Sequence, residues 1–180
     1  MNITKLFKMQ EGFDERVLKD KGLSREETFQ LRILAFIDEV AECMKEWRVF
    51  KFWSNDREPR TKVPTGEITV LSDGFEIEVY KNPLLEEYVD GLHFAISLCI
   101  DMDVNITLPV AIYCSDVTEQ FFEIYAIAVQ LKNESTAMRA DILLSHYLGL
   151  GEMLGFKLEE IERAYIEKNQ VNHQRQDNGY

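Results

Sequence analysis

Two segments of the chain combine a helical apolar stripe with acidic residues one turn apart, and this combination constrains the fold most. The first segment, Ala35–Trp53, reads A-F-I-D-E-V-A-E-C-M-K-E-W-R-V-F-K-F-W and is predicted to be the second half of a long helix. Apolar residues around it recur at the spacing of a helix with one buried face. They are Ile33, Leu34, Ile37, Val40, Ala41, Met44 and Trp47.

Glu39, Glu42 and Glu46 fall on a separate edge of the same predicted helix. Like charges one turn apart destabilise an exposed helix by a few tenths of a kcal/mol per pair, roughly, unless a cation compensates them. An acidic stripe of this kind is usually only the solvated face of an amphipathic helix. The second segment favours a different interpretation.

That second segment, Asn82–Asp101, reads N-P-L-L-E-E-Y-V-D-G-L-H-F-A-I-S-L-C-I-D, with Pro83 at a helix-starting position. Its edge carries Glu87, Asp90 and Phe94, and its predicted buried face consists of Leu85, Tyr88, Val89, Leu92, Ile96 and Cys99.

If the two apolar faces pack together, four carboxylates surround one point: Glu39, Glu42, Glu87 and Asp90. At contact distance each like-charged pair repels by about 4 kcal/mol at a protein-like dielectric, so cations, protonation or wide separation must intervene. Oxygen-only ligation suits Mg²⁺ or Mn²⁺ and fits zinc poorly.

The E-x-x-E at 39–42 and E-x-x-D at 87–90 resemble the metal-binding helices of the all-α nucleoside triphosphate pyrophosphatases of the MazG type. Three further pieces are similar to the dimeric dUTPases within that superfamily: F-K-F-W at Phe50–Trp53, D-G-L-H-F at Asp90–Phe94, and K-N-Q-V-N-H-Q-R-Q-D-N-G-Y at Lys168–Tyr180. The resemblance covers Met1–Trp53 and Asn82 to the end but leaves out 54–81.

The resemblance implies a mainly α protein, a helical bundle in one domain over 1–180. The residues of 54–81, which the resemblance leaves out, predict a loop and a β-hairpin inserted into that bundle. It also implies a homodimer that uses Mg²⁺, or Mn²⁺, to hydrolyse dUTP to dUMP and pyrophosphate and so limits uracil incorporation into DNA. Either dUTP or dUDP is an expected substrate. A phage-borne member is one form that the resemblance allows.

The resemblance also assigns roles to particular residues. Glu39, Glu42, Glu87 and Asp90 would hold the metals. Among them we expect Glu39 and Glu42 to be catalytic and Glu39 to be the base, a choice that the resemblance itself does not make. Phosphate binding falls to Lys168, Asn172 and Arg175, and nucleoside binding to Gln10, Trp53 and Phe94. Supporting positions are Glu46, His93, Asn169, Gln176 and Tyr180.

The residues themselves leave plainer alternatives open. Lys168, Asn172 and Arg175 share one helix face and suit phosphate oxygens, yet a polar end of a chain is often only a fraying tail. Without the resemblance, Gln10 reads as a solvated helix side chain and Trp53 as a core residue. A lone histidine such as His93 beside carboxylates is weak support for metal ligation.

The rest of the chain reads as further helices and one hairpin. Ser24 and Glu27 form a capping box at the start of the long helix, and Gly74 supplies the turn of the hairpin. The predicted elements are helices at Asn2–Leu18, from Ser115 or Asp116 to about Leu131, at Thr136–Leu154 and from Lys157 to about Gln174, a connector at Asn105–Pro109, and half-buried strands at Ile68–Leu71 and Phe75–Tyr80. Leu158, Ile161, Ala164, Tyr165 and Val171 are predicted to face inward.

Composition and charge exclude several classes of function. A net charge of −12 argues against nucleic-acid binding, which needs Lys and Arg for phosphate contacts. Three cysteines at no metal-ligand spacing are interpreted as reduced. The chain has no apolar run long enough for a membrane span, so a cytoplasmic protein is expected, in the host cytoplasm if phage-encoded.

Three rival functions remain open at this stage. A di-iron carboxylate bundle expects E-x-x-H on two helices, and only Asp90–His93 comes close. Phage-borne members of the resembled family bind a repressor protein, which makes the 54–81 insert a candidate partner surface. No residue excludes dCTP or another nucleotide as the substrate.

Overall fold

The computed structural model describes residues 1–104 and 110–179. Over those residues it contains six helices, α1 (Ile3–Lys21), α2 (Arg25–Trp47), α3 (Pro83–Asp101), α4 (Val117–Leu131), α5 (Ala137–Met153) and α6 (Leu158–Asp177), and two strands, β1 (Val63–Val70) and β2 (Glu76–Lys81). The mainly α prediction with a small hairpin is confirmed. The predicted connector Asn105–Pro109 and the site residue Tyr180 lie outside the described residues.

Helix α3 occupies the centre of the bundle and packs against α1, α2, α5 and α6. Its sequence explains this position, because apolar or small residues continue around almost the whole helix from Gly91 to Cys99. A helix that is apolar all round must be enclosed by others. The acidic edge of α3 is therefore fixed relative to three neighbouring helices that bear predicted site residues.

Helix α2 begins as predicted but ends earlier. Ser24 and Glu27 form the reciprocal capping box, with bonds of 3.2 and 2.8 Å. The helix stops at Trp47 because Arg48 adopts a left-handed conformation with φ +63°. Its guanidinium donates to the Asp56 carboxylate at 2.7 Å, which folds the following segment back. The prediction that the helix runs to Trp53 is therefore wrong.

The buried face of α2 is shifted relative to the predicted stripe. Phe36 and Cys43, which the prediction left out, are fully buried, whereas Leu34 is 63% exposed. The true face follows alternating steps of three and four residues through Ile33, Phe36, Val40, Cys43 and Trp47. Both sets have helical spacing, so periodicity alone does not separate adjacent faces.

Two tyrosines fix α3 against α5. The Tyr88 and Tyr147 rings stack with centroids 4.8 Å apart, and each hydroxyl donates to the backbone carbonyl of the other residue, at 3.2 and 2.8 Å. A β-carbon at Gly91 would overlap the Tyr147 hydroxyl, so glycine is required for this close approach. The bonds hold the start of α3 in a set register.

The hairpin is antiparallel, with Gly74 at φ +84° in its turn, as predicted. Strand β1 starts earlier than expected and contains an irregularity between Pro64 and Ile68. The expected half-buried face is absent, because Phe75 and Ile77 are 70% and 45% exposed. Nearly every residue of both strands is exposed, so the alternation of apolar and acidic residues does not correspond to a buried face within this chain.

Helix α6 contacts α1 and α3 mainly through its central residues Ile161, Tyr165 and Asn169. The predicted inward residues Leu158 and Val171 are instead 41% and 40% exposed. Leu158 lies in the first turn of α6, and Val171 follows Asn169 by two residues and so lies off the buried face. All three cysteines are free thiols, as the sequence predicted. Among the described helices, none is both long and apolar enough to cross a bilayer.

Candidate active site

Three acidic side chains meet where α2 packs on α3. Glu39 and Glu42 lie one turn apart on α2, Glu87 lies on α3, and each offers a carboxylate oxygen within 4.8 Å of the others. We call these three residues the carboxylate cluster. All three are half-buried, so the group faces solvent on one side only.

The cluster is electrostatically strained without a cation. Burial, followed by the charges of Asp90, Glu87 and Glu42, raises the pKa of Glu39 to about 7. Burial and the charge of Asp90, with a smaller contribution from Glu42, raise the pKa of Glu87 to about 7 as well. Near neutral pH the cluster therefore retains protons that a bound cation would replace.

The donor set fits a hard divalent metal. The cluster offers oxygen atoms only, which Mg²⁺ and Mn²⁺ prefer. Cys43 lies nearby on α2 but is fully buried, and that burial raises the pKa of its thiol far above its usual range. A thiolate ligand of the kind that zinc favours is thus not offered here.

Asp90, the fourth predicted metal ligand, has a different partner in this structure. Its carboxylate accepts a hydrogen bond from the Lys168 ammonium of α6. Burial raises the pKa of Asp90, while Lys168 and Arg175 oppose that shift. The structure thus brings a predicted metal ligand and a predicted phosphate ligand into direct contact.

A cleft of about 440 Å³ runs between α1, α2, α3 and α6, beside the cluster. Most of the predicted site residues line it, although the prediction drew them from distant parts of the sequence. They are Gln10, Glu39, Asp90, His93, Phe94, Lys168, Asn172, Arg175 and Gln176. Much of the remaining wall is apolar, as in a site that holds a planar ring.

Gln10 is not the solvated side chain that the plainer interpretation expected, since only 3% of it is exposed. Its amide nitrogen donates to Asp14 at 2.7 Å. Its amide oxygen lies 2.7 Å from His93 Nδ1 and accepts from the Tyr165 hydroxyl at 2.8 Å. The His93 ring stacks on Tyr165 with a centroid separation of 3.8 Å.

Sequence reasoning missed the polar groups behind this part of the cleft. Asp14 accepts from Ser97 at 2.6 Å, and Arg25 and Arg32 connect it with Asp101. The available signal was the position of Asp14 four residues after Gln10, on the same inward face of α1. A polar residue on a buried helix face requires a partner, and that requirement marks a functional candidate.

Other predicted residues lie away from the cleft. Trp53 is 66% exposed and contacts Phe50 and Phe52, so neither a core role nor a place in the cleft is seen within one chain. Glu46 is half-buried and lies 3.9 Å from Arg60. Asn169 is buried on α6 and is not among the residues lining the cleft.

Comparison with known proteins yields one result. The model of a family described as dUTPase matches the chain in two segments, residues 2–75 and 76–180. These segments include 54–81, so the family match is wider than the resemblance inferred from the motifs. A search of curated proteins found no match, and a search of solved structures found none either.

Proposed function

This chain belongs to the all-α dUTPase family, and from that premise we propose that it hydrolyses dUTP to dUMP and pyrophosphate with Mg²⁺ bound at the carboxylate cluster. Family membership indicates dUTP diphosphatase activity. The observation that supports the metal proposal is the meeting of Glu39, Glu42 and Glu87 within 4.8 Å beside the cleft. Mn²⁺ fits the same oxygen donors.

When bound, a divalent ion of this type neutralises phosphate charge and lowers the pKa of water. The protein supplies the geometry. Helices α2 and α3 hold the cluster beside the cleft, which Glu39 lines, and their packing fixes the spacing of Glu39, Glu42 and Glu87. Once Lys168 no longer pairs with Asp90, the Asp90 carboxylate would complete the set of four metal ligands.

Lys168, Asn172 and Arg175 face the cleft from α6 and are proposed to bind the triphosphate. Their spacing of four and three residues places an ammonium, an amide and a guanidinium along one helix edge. Charge-assisted bonds from such groups suit phosphate oxygens. When substrate arrives, a phosphate group would replace Asp90 as the partner of Lys168. Asp90 would then be free to bind metal.

Glu39 is proposed to take the proton of the attacking water, with Glu42 beside it. Glu39 lines the cleft, and burial with neighbouring charges raises its pKa to about 7 in the absence of a cation. No covalent enzyme intermediate is part of the proposal, because Cys43 and Cys99 are buried with raised thiol pKa values.

Helix α4 supports a homodimer as part of the proposal. Phe122 and Val129 on its outer side are 64% and 56% exposed, while Phe121, Ile124 and Ala128 face the core. Large apolar side chains on one exposed helix face are typical of a subunit interface. The exposed hairpin favours a second candidate function, the binding of another protein, since its strands offer unpaired edges and apolar side chains.

The test is pyrophosphate release from dUTP, dUDP, dCTP and dTTP, with Mg²⁺ and with excess chelator. Glu42→Gln and Asp90→Asn should abolish turnover of dUTP without unfolding, because each keeps its shape and removes one charge from the metal site. Asp38→Asn removes a charge from an exposed neighbouring position on α2 and is the matched control. Full activity in chelator would refute the metal proposal, and iron in the purified protein would favour the di-iron rival.

A further inference from the structure

A chain of buried hydrogen bonds leads from Ser97 through Asp14 and Gln10 to His93 at the cleft. Ser97 donates to Asp14 Oδ2 at 2.6 Å, and the Gln10 amide nitrogen donates to Asp14 Oδ1 at 2.7 Å. The Gln10 amide oxygen then faces His93 Nδ1 at 2.7 Å. We call this series the Asp14 chain.

The arginines fix the direction of these bonds. Burial raises the pKa of Asp14, but bonds from Ser97 and Gln10 and the charges of Arg25 and Arg32 oppose that shift. Arg25 lies 3.4 Å and Arg32 3.9 Å from Asp14 Oδ2, so the side chain is a carboxylate that only accepts. Gln10 must therefore present its nitrogen to Asp14 and its oxygen to His93.

The orientation of Gln10 decides the tautomer of His93. Because an amide oxygen only accepts, His93 must carry its hydrogen on Nδ1, which leaves an acceptor lone pair on Nε2. Burial lowers the pKa of His93 to about 3, so the ring is neutral at physiological pH. The Tyr165 hydroxyl adds a second bond to the same Gln10 oxygen, at 2.8 Å, and reinforces this arrangement.

His93 Nε2 is buried and has no hydrogen-bond partner within residues 1–104 and 110–179. His93 is 5% exposed and lines the cleft beside Phe94, the residue proposed to contact the base. A buried acceptor without a partner is costly to a folded protein. A ligand group that donates to Nε2 would remove that cost.

Resting on the proposed function, we propose that Asp14 is a positioning residue that sets the His93 tautomer through Gln10, so that His93 Nε2 accepts the N3–H of a uracil base. On its Watson–Crick edge, uracil has one donor, N3–H, between two carbonyl oxygens. Cytosine has a lone pair at N3, so two acceptors, cytosine N3 and His93 Nε2, would face each other. Asp14 thus favours uracil over cytosine without contacting the base.

The first measurement is nitrogen NMR of the wild-type imidazoles, with His93 assigned by comparison with a His93→Gln variant. The expected spectrum shows hydrogen on Nδ1 and a free lone pair on Nε2. Addition of dUMP should shift the Nε2 signal toward that of a hydrogen-bonded acceptor, and dCMP should not. Hydrogen on Nε2 in the free wild type, or equal shifts with both nucleotides, would overturn the proposal.

The second measurement is the ratio of kcat/KM for dUTP to that for dCTP in an Asp14→Asn variant. Arg25 and Arg32 would hold the new amide oxygen where Asp14 Oδ2 lies, so the new NH₂ group would face Gln10 and invert its amide. His93 would then carry hydrogen on Nε2 and repel N3–H. The ratio should fall by about tenfold to a hundredfold, mainly through KM for dUTP.

Ser97→Ala is the matched control. It removes a buried bond to the same carboxylate but leaves Asp14 an acceptor toward Gln10, so the His93 tautomer and the base preference should stay unchanged. Equal changes in both variants would reduce the Asp14 chain to a structural role and overturn the proposal.

Failure of the proposed function is distinguishable from failure of this inference. Absence of dUTP turnover by the wild type would refute the proposed function alone, because the tautomer and the two nucleotide titrations still decide the role of Asp14. Turnover of dUTP with an unchanged base preference in folded Asp14→Asn would refute the inference alone.

Discussion

Binding of Mg²⁺ at pH 7 is expected to release about one proton from the protein. Burial and neighbouring charges raise the pKa of both Glu39 and Glu87 to about 7 in the metal-free state. Each is then about half protonated at pH 7, and a cation among the three carboxylates expels about half a proton from each. At pH 8.5 both are ionised, and the release falls to about a tenth of a proton or less.

Isothermal titration calorimetry in buffers of different ionisation enthalpy measures this release directly. Affinity for Mg²⁺ should rise about tenfold between pH 6.5 and 7.5 and level off above pH 8. Glu39→Gln should roughly halve the release at pH 7, and Asp38→Asn, on the exposed side of the same helix, should leave it unchanged. Metal binding with no proton release at pH 7 would show that the carboxylates are not strained together.

The same groups set the pH dependence of stability. Their folded pKa values of about 7 exceed the ordinary value of 4.5, so ionisation opposes folding. Without metal, the free energy of unfolding should fall as pH rises from about 4.5 to 7, by about 1–2 kcal/mol in total after solvent screening is allowed for. Saturating Mg²⁺ should remove this loss, which thermal melts at several pH values will measure.

Three further perturbations test other parts of the structure. Arg175→Ala should cost about 1.5–3 kcal/mol in kcat/KM for dUTP with an unchanged Tm, whereas Arg163→Ala, exposed elsewhere on α6, should cost nothing measurable. Gly91→Ala should destabilise by about 1–3 kcal/mol by thermal melt because it displaces a buried tyrosine hydroxyl, and Gly12→Ala, with open space around it, should not. Replacement of 61–80 by a Gly/Ser linker should leave dUTP hydrolysis largely intact, since no described hairpin residue lines the cleft. Loss of hydrolysis in a folded variant would show that the hairpin is part of the active site.

The carboxylate cluster could be predicted because the evidence for it is local and periodic. Glu39 and Glu42 lie one turn apart beside an apolar stripe, and Glu87 occupies the equivalent edge of the next apolar helix. Packing of two such stripes brings the edges together whatever the rest of the fold does. This holds even though the predicted stripe on α2 shares only Ile33, Val40 and Trp47 with the buried face and misses Phe36 and Cys43.

Other features depend on contacts that no periodicity encodes. Helix α2 ends at Trp47 because Arg48 adopts a left-handed conformation and its guanidinium donates to Asp56. A helix end of this kind usually carries glycine, so a sequence without glycine there does not predict it. The exposed position of Trp53 is a consequence of that early end. The spacing of Gln10 and Asp14 was a weak signal for a polar pair on the inward face of α1, but their partners Ser97, Arg25 and Arg32 come from distant parts of the sequence and could not be predicted from it.

The pairing of Asp90 with Lys168 explains how a cleft rich in carboxylates can receive a triphosphate. Before substrate arrives, the Lys168 ammonium offsets the charge of Asp90, and the Lys45 ammonium lies 3.1 Å from Glu42 at the exposed side of the carboxylate cluster. A phosphate that takes Lys168 leaves the charge of Asp90 without its ammonium partner, and a bound metal ion would offset that charge. On the proposed function, nucleotide and metal must therefore strengthen each other's binding, and by linkage the two effects are equal. Lys168 makes the two ligands interdependent, because its loss would leave Asp90 without an ammonium partner both before and after substrate binds and so weaken the coupling.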